Sequence, residues 1–493
     1  MWFTGALLIA AAVIVIAIAR EWPFSRSSVE GMLSSAFAAR VTIGDFHSRW
    51  FPQPGFDASQ VRIATPSGPV DIRHVAIRAS YAAFVRRSRA VSFIQLDGMS
   101  GRVARQWPGH SWTSSGISIA EFVVDGSQID FEPAEPGGDP LRIGIQHAVF
   151  RGLSPGHSLR FDAVLAWAKP QGRLEVQGQY GPPSGGPLSA PISGGFRFEN
   201  ANLAAFENLA GTLTAEGKFS GTFGQIRVEG NTRVSALKIA DKEHHPVNVA
   251  ASFSAVVNGS NADTHFDSID TTLLQTHIAW RGDVAAVQDS GKVVNLDMTS
   301  RQARVQDLLY VATQAPRPAM DGPIVFHGRV VLPPDRRPFL RKLSVDGDFH
   351  IANARFTRFA SQSNVAQLSE RARGEKKPEE NPESIQAEVN GHVALRNGVA
   401  TLSGLTFRVP GASANLQGTF NVINYSVNLH GQLALEKELS DTTTGIKSVL
   451  LKAVDPLFKR KRAGAVVPVS ITGTYQSPVF SSLGMHRGGS KLP

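Results

Sequence analysis

Gly152-Leu153-Ser154-Pro155-Gly156 has the G-x-S-x-G form of a nucleophile elbow, in which a serine attacks an acyl carbon and the next backbone N–H steadies the oxyanion. Pro155 has no N–H, so the elbow lacks its donor and carries no acyl-transfer chemistry. The 14 histidines are scattered. His327, His392 and His430 fall beside glycines at polar positions of alternating segments, and the adjacent His244 and His245 would point to opposite faces of a strand. Neither arrangement has the spacing of a metal site. There is no phosphate loop, no H-E-x-x-H and no dinucleotide fingerprint. With no cysteine, thiolate catalysis, disulfides and zinc-thiolate sites are excluded. Asn258-Gly259-Ser260 is a formal glycosylation acceptor that reads better as a turn. These residues call for no catalytic group, cofactor or metal, and the expected activity is non-enzymatic. An enzyme domain within residues 100–350 stays as a minor alternative.

The informative pattern lies in the elements themselves. An apolar-x-apolar-x-Gly-x-apolar motif recurs around Gly178, Gly217, Gly282, Gly328, Gly347, Gly391, Gly418, Gly431 and Gly473, with a looser copy at Gly230. Period-2 alternation puts each glycine on the apolar face of its strand and the polar residues on the other. Glycine inside a strand bends the sheet, seats a bulge or admits a close neighbour, so repetition at one phase predicts a sheet that curves the same way many times. The competing reading is an ordinary sandwich whose two apolar faces cover each other.

Hydrophobic residues make up 42% of the 493-residue chain and charged ones 18%, with 46 glycines and 29 prolines, a balance suited to many short strands and poorly suited to coiled coil or bulk disorder. The net charge of +9 comes without a basic helix or an aromatic-studded basic stripe, which argues against a nucleic-acid partner. Trp2 to Ala19 carries no charged side chain and as a helix would be about 27 Å long, close to a bilayer core. Ala17-Ile18-Ala19 also fits signal-peptide cleavage. The missing basic n-region and the length of the run favour an anchor. Orientation is not set by charge, because Arg20, Glu21 and Arg26 all follow the run.

Ser27-x-x-Glu30 predicts a capping box for a short helix presenting Val29, Met32, Leu33 and Phe37. Residues 367–384 are dense in charge and read as a solvated loop. Ile446, Val449, Leu450, Val454, Leu457 and Phe458 recur at helical spacing before Lys459, Arg460, Lys461 and Arg462. Such a helix can plug the end of the sheet or contact a membrane or partner through Ile446, Leu450, Leu457, Phe458 and the four cations.

The expected architecture is mainly β: an N-terminal transmembrane helix, then an elongated, curved antiparallel sheet in the form of a groove, with a few short helices. Its expected divisions are an anchor (1–20), an N-terminal domain (21–150), a middle repeat region (151–366), the charged loop (367–384) and a C-terminal β-domain (385–493) with an amphipathic helix at 445–458. Groove-lining candidates are Val345, Phe349, Val389, Val393, Leu416, Phe420, Leu429, Leu433 and Ile471. The nine motif glycines would bend the groove.

The segment from Ser28 to Ile63 (SVEGMLSSAFAARVTIGDFHSRWFPQPGFDASQVRI) and that from Leu395 to Phe480, above all VATLSGLTFRVPGASANLQGTFNV and TTTGIKSVLLKAVDPLFKRKRAGAVVPVSITGTYQSP, resemble the AsmA-like family of bacterial envelope proteins, with its relatives of the TamB and YhdP type. The resemblance spans nearly the whole chain, through patterns rather than invariant chemistry. It implies an inner-membrane anchor at residues 2–19, a periplasmic body, a β-groove holding phospholipid acyl chains, and a role in moving phospholipid toward the outer membrane. Envelope protein partners or an oligomer are implied too. The rival function is an assembly factor for outer-membrane proteins with a closed β-sandwich body, binding clients by strand addition.

Overall fold

The computed structural model describes residues 25–37, 39–65, 68–82, 90–103, 118–131, 141–182, 186–206, 209–239, 246–287, 291–313, 318–335, 337–356, 386–409, 412–435 and 466–482. The apolar run 2–19, the charged loop 367–384, His244, His245 and the helix expected at 445–458 with its four cations lie outside the described residues. Among those described, no helix is long and apolar enough to cross a membrane.

Among the described residues twenty-five strands join one long, curved, open sheet. From Gly55–Thr65 onward almost every strand pairs with the next in sequence, because alternating residues separated by tight turns leave the nearest strand as the first available partner. One pair departs from the antiparallel rule. Ala90–Val103 and Ser118–Phe131 run parallel, and the 14 residues between them are long enough to return the chain to its starting end.

The first helix, Arg26–Phe37, presents buried Val29 and Leu33 to the first strands. Its cap differs from the expected box. Ser25 Oγ accepts from Ser28 N–H at 3.2 Å, while Glu30 accepts from Ile43 N–H at 2.8 Å and so ties helix to sheet. The helix begins earlier than Ser27, which removes Ser27 from the capping position.

A second helix, Val305–Thr313, interrupts the strands where sequence alone shows only repeat. Val305, Leu308 and Leu309 pack on the apolar face with Ile278, Ile324, Ile351 and Val389. Asp307, 7% exposed, accepts from Gln275 N–H at 3.0 Å and from the Thr276 hydroxyl at 2.8 Å, fastening the helix to the preceding turn.

Twist brings distant strands together. Six steps separate Pro323–Leu332 from Val466–Thr474, and at about 20–25° per step the strand direction turns by about 120–150°. The turn after Val466–Thr474 then meets the far end of the earlier strand, where Ala319 N–H donates to Tyr475 Oη at 2.8 Å. Burial pushes the Tyr475 phenol's pKa up, opposed by its bonds to Ala319 and Thr313.

Candidate functional site on the apolar face

Bulges shift the phase within several strands, yet cross-strand partners on the apolar face can be followed as one row. It runs Phe46, Ala58, Val75, Leu96, Val124, Ala148, Ala163, Val176, Phe196, Gly217, Gly230 and Phe253. It continues through Ile269, Trp280, Met298, Gly328, Gly347, Val393, Leu402, Gly418, Leu429, Ile471 and Phe480. Every position is apolar or glycine. A single charged residue here would break the surface, and none occurs.

Burial divides the row. From Ala58 to Ala163 the side chains are 0–7% exposed, within a filled core that includes the first helix. From Val176 to Met298 the same row is half-buried. Neighbours about 4.8 Å away across the strands shield the flanks of each side chain, and a second layer is needed to seal the top. Helix Val305–Thr313 supplies such a layer locally. Beyond it the row is half-buried again from Val393 to Ile471.

All nine groove candidates lie on this face. Val393, Leu429 and Ile471 are in the central row, Val345 and Phe420 in the row above, Phe349 and Leu416 below, and Val389 and Leu433 one row further. Seven are half-buried, whereas Val389 and Leu433 are 5% and 2% exposed. Val389 is sealed by the cluster around the second helix, which the sequence reading did not foresee. That reading also missed Phe196, Phe253, Ile269, Trp280 and Met298, although the same alternation marks them.

The motif glycines all sit on the apolar face, but most of the close approach they permit is taken up by the chain itself. Phe161, Gly178, Gly194 and Phe219 are successive partners, and the two rings lie 6.5 Å apart over the glycine pair. The device repeats as Phe196, Gly217, Gly230 and Phe253, where a Cβ at Gly217 would come 2.8 Å from the Phe196 ring and overlap the Glu229 carbonyl oxygen. Met298 reaches Gly328, and Phe349 reaches Gly391. At Gly282, Gly418, Gly431 and Gly473 the nearest atoms belong to neighbouring backbone.

The opposite face is polar and laced across strands. His147 Nδ1 lies 2.6 Å from Asp125, His265 Nδ1 2.7 Å from Asp283, and Asp348 serves both His327 and His392 at 3.3 and 3.0 Å. Exposed pairs of this kind each contribute about 0–1 kcal/mol and help hold register. Among the described residues no group of three His or acidic side chains could hold a metal. A concavity of about 960 Å³ lies on this polar side, edged by Asp162, Gln177, Arg197, Glu216, Lys218 and Glu229. A twisted sheet is saddle-shaped, so each face is hollow along one diagonal. The hollow's mixed charges offer nothing to an apolar chain.

Ser154 sits in a turn with its Oγ 2.8 Å from Ser118 Oγ, and His157 donates from its backbone to Ser154 O at 3.1 Å. The Asn258 side chain accepts from Ser260 N–H at 2.9 Å, as expected of a turn. No family model, curated protein or solved structure was found to match this chain.

Proposed function

We propose that the chain is an envelope protein, held in the inner membrane by residues 2–19 with its body in the periplasm, that binds phospholipid acyl chains on the apolar face and contributes to phospholipid transfer for outer-membrane biogenesis. The observation that carries this reading is the unbroken apolar row, half-open from Val176 to Met298 and from Val393 to Ile471. A tail of about 16 carbons leaving a bilayer exposes CH₂ groups at about 0.8 kcal/mol each, roughly 12 kcal/mol, and an apolar strip of protein removes much of that penalty. In this reading the sheet is a trough with headgroups in solvent. Lipid lies from Val176 onward, because the strands before it are filled by their own side chains.

The rival, a closed assembly factor, draws support from that filled N-terminal part. The two readings separate on purified full chain analysed for bound lipid by mass spectrometry, beside a variant carrying Ile269→Glu and Leu429→Glu. Lipid in the wild type and its loss in the folded variant is expected. Equal lipid in both would remove this face as the binding surface.

A further inference from the structure

Among the described residues the exposed aromatic side chains are gathered in one place: Trp50 at 54% exposure, Phe51 at 84% and Tyr81 at 47%. The other exposed large hydrophobics are aliphatic residues such as Leu188, Leu274 and Val325. Trp50 and Phe51 begin the turn between Asp45–Arg49 and Gly55–Thr65, and Tyr81 follows the strand Gly68–Ala79. The two connections are tied together. The Tyr81 hydroxyl donates to Trp50 O, and Ala79 N–H donates to Pro54 O at 2.8 Å. Below them Arg49 and Arg78 share the Asp57 carboxylate at 2.8 and 2.6 Å, so this braced tip carries two cations for one anion.

We infer that this tip is a membrane-contact element that seats Trp50, Phe51 and Tyr81 in the interface of an anionic bilayer. Trp and Tyr favour the headgroup level, where the ring is apolar and its polar atom stays hydrated, and Phe51 supplies a wedge without a polar atom. Charge agrees: after Tyr81 the sequence reads Arg86, Arg87 and Arg89 with no acidic residue between Ser80 and Ala90. Chain direction agrees as well. Helix Arg26–Phe37 starts beside Ile43, where Arg26 bonds Ile43 O, and ends beside Arg40 and Val41, so its N-terminus faces the tip. The start of the described chain and the aromatic tip therefore lie toward the same end of the first strands. The inference takes the presence of the bilayer from the envelope reading but does not depend on lipid lying along the sheet.

The chain has no cysteine, so one introduced thiol is labelled uniquely. Full-length Phe51→Cys, Tyr81→Cys and Leu188→Cys, each carrying a polarity-sensitive fluorophore, are reconstituted into vesicles of phosphatidylethanolamine with phosphatidylglycerol that contain spin-labelled lipid. The labels at 51 and 81 are expected to shift to the blue and to be quenched at least about threefold more than the label at 188, with a smaller difference in phosphatidylcholine alone. Equal, water-like emission at all three positions overturns the inference. So does a label at 51 that stays aqueous in vesicles and becomes shielded only in native envelopes, which assigns the tip to a protein partner. Lipid co-purifying with the same preparations is measured separately. A quenched label on lipid-free protein keeps the tip and sinks the groove.

Discussion

Ala58, Val75, Leu96, Val124, Ala148 and Ala163 belong to the same register row as Phe253, Ile269, Trp280 and Met298, yet the first group is sealed and the second is half-open. Residue type does not explain this, since the open section carries the larger side chains. The difference is cover: the first strands roll around a shared core closed by Val29 and Leu33, whereas among the described residues no α-helix packs on Phe253 or Ile269, and Trp280 and Met298 only border the cluster around the second helix. One alternating pattern therefore yields a stabilising core at one end and an unsatisfied surface at the other.

The comparison breaks most clearly on a buried charge. Leu96→Glu puts a carboxylate where nothing can pair with it and is expected to cost about 4 kcal/mol or more, unfolding the N-terminal strands. Ile269→Glu, in the same row but half-open, is expected to cost about 1 kcal/mol and leave the sheet intact. Hydrogen exchange read strand by strand decides, and equal effects would show that the two sections are packed alike.

The second sealed patch offers a sharper test. Asp307→Ala leaves the Gln275 N–H and Thr276 hydroxyl without their acceptor and is expected to cost about 3 kcal/mol, confined to faster exchange at 273–276 and 305–313. Gly217→Ala drives a methyl group against the Glu229 carbonyl and the Phe196 ring, at about 2 kcal/mol in thermal unfolding. Its effect should fall on the half-open strands and spare the N-terminal core. The smallest effect belongs to Tyr475→Phe, about 1 kcal/mol, because Ala319 N–H loses its acceptor while the ring stays packed on Phe420. Protease sensitivity near 313–319 would report it.

Much of this was legible beforehand. Alternation identified the motif-bearing strands from Gln171–Tyr180 onward and the phase of all nine motif glycines, because period 2 is a local property of the chain. Helix Val305–Thr313 was not legible, since nine residues with apolar positions at 305, 308 and 309 are too few to stand out among alternating strands. Nor was the parallel pair, because a long connection does not declare which way the chain returns. At the candidate site the face was legible and its accessibility was not. Val389 and Leu429 look alike in sequence, but only Val389 lies in the cluster sealed by the helix.

The sequence by itself determined that one face of every strand is apolar, that the other is polar, and that glycine recurs on the apolar side. Tertiary structure alone decided what lies against that face: a core that seals the central row as far as Ala163 and reaches Phe219 and Ile226 beside it, the chain's own rings over Gly178 and Gly217, a helix over Val389, and, among the described residues, no covering helix over Ile269. The physical reason is range. Which face a side chain takes depends on its immediate neighbours, while cover depends on twist summed over many strands, and no short stretch of sequence contains that sum.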